Sequence, residues 1–95
     1  SAYIKKENFK IIQDAMRLTV TAGSAQSLKT LSVKVAGKTG TAQVNGDKKP
    51  DAWFTSFAPY ENPTIVLTIL VENGGEGSII AVPIAKNVLE WYFNK

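Results

Sequence analysis

The sequence contains no cysteine and no histidine. That excludes thiol nucleophiles, disulfides, Ser-His-Asp triads and zinc sites of the usual ligand types. Lack of cysteine is compatible with either redox compartment and fixes no location. Long hydrophobic runs are missing as well. The longest, Ile65 to Val71, is interrupted by Thr68 and falls far short of the roughly 20 residues a membrane helix needs. No stretch reads as a signal peptide, an internal repeat or a low-complexity segment. Blocks of like charge are also absent. The net charge is +3, and the lysines run from Lys5 to Lys95 with no block longer than the pairs Lys5-Lys6 and Lys48-Lys49. A nucleic-acid surface usually shows a clustered basic face, so these charges read as solvated surface and no nucleic-acid partner is expected.

Two further absences concern catalysis. Asp14, Asp47, Asp51, Glu61, Glu72 and Glu76 fall mostly in turns or on helix surfaces, and no carboxylate pair stands out. A lysine amine that activates a serine on a helix needs Ser-x-x-Lys, so that one turn brings the two together. Three positions after Ser1, Ser24, Ser27, Ser32, Ser56 and Ser78 stand Ile4, Ser27, Thr30, Val35, Pro59 and Ala81. None is lysine, and no Ser-x-Asn occurs. These residues carry no nucleophile.

What is present is an ordinary globular composition, 44% hydrophobic and 20% charged in 95 residues, enough for one small domain and not for two. Ser1 to Lys6 is a polar lead, and Ser1-Ala2 could be a cloning remnant. From about Glu7 to Thr21, Phe9, Ile12, Met16 and Val20 recur at helical spacing, with Ile11 and Leu18 widening the stripe. Phe9 and Met16 are expected in the core, and Gly23 is placed to end this helix. Gly23 to Thr30 is small and polar, hence a loop. Leu31, Val33 and Val35 alternate with polar residues, which predicts a strand from Leu31 to Val44. The Asn45-Gly46 pair is a hairpin signal, lengthened by Asp47 to Pro50. A second strand is expected from about Ala52 to Ala58, with Trp53 and Phe57 on one face and Phe54 on the other. Two prolines within Pro59 to Pro63 make a stiff connection. A third strand, Thr64 to Glu72, is apolar on both faces, which calls for cover above and below. A flexible turn, Asn73 to Gly77, precedes a helix over about Ala81 to Phe93, with Pro83 expected in its first turn.

The predicted class is α+β: a helix, a three-stranded antiparallel meander, and a second helix packed across one face. The most apolar strand is then left at an edge, an aggregation hazard that finished domains usually cover. The expectation is a sheet that continues with strands not contained here, residues 1–95 being part of a larger domain.

The chain centres on Val35-Ala36-Gly37-Lys38-Thr39-Gly40-Thr41-Ala42-Gln43-Val44. Its glycines let something approach the backbone closely. In a strand, Lys38 and Gly40 share one face while Thr39 and Thr41 share the other. So little bulk is poor core material and suits a backbone ledge for an extended ligand, although a plain edge strand blunted by a lysine fits the spacing too. A P-loop also ends in Gly-Lys-Thr, but it needs glycine where Ser32 stands and a helix after the Lys-Thr, and Ala42 to Gly46 does not read as a helix start.

Gly37-Lys38-Thr39-Gly40-Thr41-Ala42-Gln43 resembles the Lys-Thr-Gly box of the penicillin-binding protein transpeptidases. Asp51 to Pro59 is similar to that family's next strand, Leu70 to Gly75 to the strand after it, and Ala81 to Ala85 to the start of its final helix. The helix ending at Gly23 resembles the segment leading into the box. The resemblance covers nearly the whole chain in order and is strongest to the class B, monofunctional enzymes. It implies a C-terminal portion of a domain whose five-stranded antiparallel sheet lies between helices, with the box on an outer strand. The implied parent cross-links peptidoglycan by serine acyl transfer, uses D-Ala-D-Ala stem peptides, binds β-lactams and needs no cofactor or metal. It would be anchored to the bacterial cytoplasmic membrane with this domain outside.

By the same resemblance, Lys38 supplies positive charge and supports the proton network around a serine and a lysine supplied from elsewhere. The Thr39 and Thr41 hydroxyls bind a carboxylate, the Thr41 backbone N–H is one of two oxyanion-hole donors, and Gly40 keeps the backbone approachable. Gln43 fits the family pattern without a catalytic role. Asp51 stands where many relatives carry histidine. These residues alone are expected to be inactive. An alternative is a non-catalytic module that binds a partner, or a second copy, through the sheet edge at residues 64–72. A weaker one is a fragment of a β-lactamase or β-lactam sensor.

Overall fold

The computed structural model describes residues 5–43, 46 and 49–94. Its elements are helix α1 (Lys6–Thr21), a short 3-10 helix (Gln26–Thr30), strands β1 (Ala36–Ala42), β2 (Asp51–Ala58) and β3 (Ile65–Val71), and helix α2 (Gly77–Asn94). The expected α+β order is observed, and the strands form one antiparallel sheet in the order β1-β2-β3.

Register sets the two faces. Thr39 pairs with Phe54 and Phe54 with Ile69, while Gly40 pairs with Trp53 and Trp53 with Leu70. Side chains alternate along a strand, so the first row lies on the inner face and the second on the outer one. Ala52, Phe54, Ser56 and Ala58 are buried on the inner face. There Phe54 and Ala58 meet Ala81, Val82, Ala85 and Leu89 of α2, together with Val20 of α1 and Ala25, Leu28 and Val35 of the segment between α1 and β1. The inner-face row of β3, Ile65, Leu67 and Ile69, packs against this core.

Three sequence expectations shift. The first strand starts at Ala36 and not at Leu31, because Gln26 to Thr30 closes into a 3-10 turn. Leu31 and Val33 still reach the core, but as anchors of an irregular segment. Val44, Asn45, Asp47 and Lys48 lie outside the described residues; Gly46 has the positive φ of 85° that the hairpin reading requires. Helix α2 starts at Gly77, four residues before the expected Ala81, and Pro83 lies inside it. Pro83 removes the hydrogen bond to Ile79, and both residues are exposed, so the lost bond falls on the solvent side.

Phe9 is exposed and not core, as are Ile11, Ile12 and Leu18, while Met16 is half-buried. Val20 is the buried residue of α1, so the helix touches the core only near its C-terminal end. Gly23 follows the helix as expected, by close approach and without a left-handed turn. A Cβ there would stand 3.0 Å from both the Cα and the carbonyl oxygen of Thr19. That same carbonyl accepts from the N–H groups of Gly23 and Ala25, each at 3.1 Å.

Candidate functional site

The residues of interest lie on β1, an edge strand of the three-stranded sheet. Lys38 and Gly40 face outward, and Thr39 and Thr41 share the inner-face row, as the alternation requires. Lys38 and Thr41 are exposed, while Thr39 and Gly40 are half-buried. The structure therefore brings all four sequence-selected residues to one open strand.

Lys38 folds back along its own strand. Its Nζ donates to the Thr39 carbonyl at 2.6 Å and stands 6.0 Å from the centroid of the Trp53 ring. That distance is at the outer limit of a cation–π attraction. The ammonium is held near the strand by one hydrogen bond while most of its surroundings are solvent, so it remains available to an anionic group.

Gly40 is enclosed by the chain itself. On the outer face a Cβ would run into the Trp53 indole. Gly77, at the start of α2, lies so close to the Gly40–Trp53 pair that a Cβ on it would stand 2.5 Å from the Gly40 carbonyl oxygen and 2.6 Å from that of Trp53. A ligand using this stretch must therefore approach along the strand edge, not over either face of Gly40. Gly37 is constrained likewise, by the Phe54 ring and the Thr55 carbonyl.

Thr39 bonds across to the other flank of the site. Its Oγ1 is 2.8 Å from Ser24 Oγ, in the turn after α1. Sequence reasoning did not find this pairing, because the two residues stand 15 positions apart with no shared motif. It also missed Arg17, whose Nη1 donates to the Val35 carbonyl at 2.7 Å and ties α1 to the residue before β1. Trp53 over Gly40 was accessible in principle, since an antiparallel register places a large residue opposite the glycine.

Asp51, left without a role above, is structural here. Its Oδ1 accepts from the Asn73 N–H at 2.9 Å, and Asn73 has a left-handed φ of 56°. The Gly75 N–H donates to the Pro50 carbonyl at 3.0 Å. Both bonds fasten the β3–α2 turn to the start of β2. Gln43 is exposed. Among the described residues no group of three His, Cys, Asp or Glu could hold a metal ion. No helix among them is long and apolar enough to cross a membrane.

The family model of the penicillin-binding protein transpeptidase domain matches residues 2–90. The chain belongs to this family. Similar proteins include the peptidoglycan D,D-transpeptidase MrdA of Haemophilus influenzae, 42% identical over a 76-residue alignment that covers 65% of this chain and 12% of that protein. The fold is similar to that of Pseudomonas aeruginosa PBP2, crystallised with WCK 5153, with a TM-score of 0.82 and 35% identity over 93% of this chain and 20% of that one. It is also similar to Mycobacterium tuberculosis penicillin-binding protein A in its penicillin G acyl-enzyme complex, with a TM-score of 0.75 and 28% identity over 95% of this chain and 21% of that one. The transpeptidase segment described here thus spans about an eighth of the curated relative's length and about a fifth of each solved neighbour.

Proposed function

We propose that this chain is the C-terminal part of the transpeptidase domain of a peptidoglycan D,D-transpeptidase, and that β1 is the ledge on which stem peptide or β-lactam lies. The observation that carries the reading is Gly37-Lys38-Thr39-Gly40-Thr41 on an edge strand with Lys38 and Thr41 exposed, inside a family match over nearly the whole chain. An open edge offers backbone groups to an extended peptide, which can add as a further strand.

In this reading a serine supplied by residues outside these 95 attacks the carbonyl of the donor peptide or β-lactam. An ester forms, and the leaving amine takes up a proton. The Thr41 N–H stabilises the oxyanion of the tetrahedral intermediate, where preorganised donors are most effective. Lys38 places positive charge beside the serine, and the Thr39 and Thr41 hydroxyls bind the substrate carboxylate. The complete protein would be anchored in the cytoplasmic membrane with this domain on the outer side. In the full-length protein, Lys38→Ala should slow acylation by penicillin by about 100-fold or more, the scale for loss of one transition-state electrostatic contact. Acylation at the wild-type rate would remove Lys38 from the mechanism.

One observation favours a second reading, a partner-binding module. Strand β3 is an edge, and Val66 and Leu70 on its outer face are 74% and 60% exposed. That reading expects a defined complex formed through residues 64–72. A chain that stays monomeric at high concentration, with β3 amides protected from exchange, would exclude it.

A further inference from the structure

We infer that Ser24 is a positioning residue for carboxylate recognition, orienting the Thr39 hydroxyl so that its proton points at the ligand. The inference rests on the transpeptidase reading above and adds to it a residue from outside the Lys-Thr-Gly stretch.

The geometry begins in the turn after α1. Ser24 stands between Gly23 and Ala25, whose N–H groups both donate to the Thr19 carbonyl. Ala25 is buried in the core, and Gln26 Nε2 donates to the Gly23 carbonyl at 3.2 Å. The backbone on both sides of Ser24 is therefore fixed, and its exposed side chain sets Oγ 2.8 Å from Thr39 Oγ1. Thr39 is held as firmly from its own side, paired with Phe54 near the middle of the β1–β2 ladder and accepting the Lys38 ammonium on its carbonyl.

A hydroxyl has one hydrogen to donate and two lone pairs to accept with. Within the Ser24–Thr39 pair one hydrogen is used between the two oxygens and the other is left over. A carboxylate can only accept, so its arrival selects one ordering: Ser24 donates to Thr39, and Thr39 donates to the ligand. Donors in such a chain polarise one another, so the outgoing Thr39 bond is strengthened by the incoming one. Thr41, exposed two residues along the same strand row, has no counterpart of this bond among the described contacts. Of the two threonines, Thr39 is the one whose hydroxyl already has a partner before a ligand arrives.

Ser24→Ala removes the incoming donor and frees the Thr39 rotor; Ser24→Thr keeps the hydroxyl. In the full-length protein, benzylpenicillin and its methyl ester should be compared by stopped-flow acylation, separating the binding constant from the acylation step. Ser24→Ala should weaken binding of the free acid by about 2- to 10-fold, the range for one uncharged hydrogen bond. The acylation step and the melting temperature should hardly move, the ester should be little affected, and Ser24→Thr should restore the wild-type value. Unchanged binding of the acid would overturn the inference. Equal weakening of acid and ester, or a loss confined to the melting temperature, would overturn it too, because either marks a merely structural bond. Wild-type protein that takes up no β-lactam would count against the transpeptidase reading itself. The positioning claim would then be read from the crystal structure of Ser24→Ala: a rotated or disordered Thr39 hydroxyl upholds it, and an unchanged one refutes it.

Discussion

At the scale of single residues, the Lys-Thr-Gly stretch is constrained by its own neighbours. The lysine and the two threonines were legible because their types and their alternation are carried by the sequence. The reason for Gly40 was not. Open backbone was the natural reading, and the structure shows the Trp53 indole and the Gly77 backbone closing on it. Gly40→Ala must displace a packed indole, an overpacking that costs about 1–3 kcal/mol. Thermal melting of the full-length protein should register that loss, and an unchanged melting temperature would show that Trp53 has room to shift.

A second residue-scale prediction concerns α1. Asp14 accepts from Lys10 at 2.8 Å and from the Tyr60 hydroxyl. The Lys10 hydrogen bond, then that of Tyr60, holds the Asp14 carboxyl below its ordinary range. Asp14 raises Lys10 and Tyr60 above theirs. A lowered carboxylate stabilises the fold above its unfolded pKa, and that contribution is lost as pH falls through the folded value. The raised lysine and tyrosine contribute below their unfolded values, and theirs is lost as pH rises through the folded ones. The link between α1 and the β2–β3 connection should therefore be constant near neutrality and weaken at both extremes. Lys10 and Asp14 are solvent-exposed and Tyr60 is half-buried, so the effect on stability is small. NMR titration of the Asp14 carboxyl should show it ionising below the usual range and moving up in Tyr60→Phe. An Asp14 that titrates identically in both proteins would contradict the contact.

Among the elements, α1, β2 and β3 were legible in the sequence to within a residue at each end, while the starts of β1 and α2 were not. Leu31 to Val35 alternates like a strand yet forms the anchor into β1, because the 3-10 turn before it and the Arg17 bond to the Val35 carbonyl delay entry to the sheet. Helix α2 starts early because Gly77 can lie against the Gly40–Trp53 backbone, a tertiary contact that no local pattern announces. The apolar edge was legible and proved informative. Strand β3 is an edge, and its outer row of Val66, Thr68 and Leu70 is exposed, beside half-buried Trp53 and Phe57 of β2. If the rest of a transpeptidase domain covers this face, Leu70→Asp should destabilise the full-length protein by about 1.5–3 kcal/mol, the value of one buried leucine. The same change should leave the melting of the 95-residue chain nearly untouched. Equal effects in the two proteins would mean that nothing further covers β3.

On the scale of the whole molecule, exposed apolar side chains occur on three elements: Phe9, Ile11, Ile12 and Leu18 on α1, Val66 and Leu70 on β3, and Ile79, Ile84 and Trp91 on α2. Large exposed apolar patches mark interaction sites, and Val66 and Leu70 share the outer face of β3. In the proposed reading this chain supplies the substrate ledge, and residues outside it supply the serine that acyl transfer requires. That division of labour is the central claim, and intact mass measurement after incubation with penicillin G tests it directly. The full-length protein should gain the mass of one penicillin, on a serine outside these residues, while the 95-residue chain gains nothing. A penicillin adduct on the 95-residue chain, or none on the full-length protein, would contradict the account.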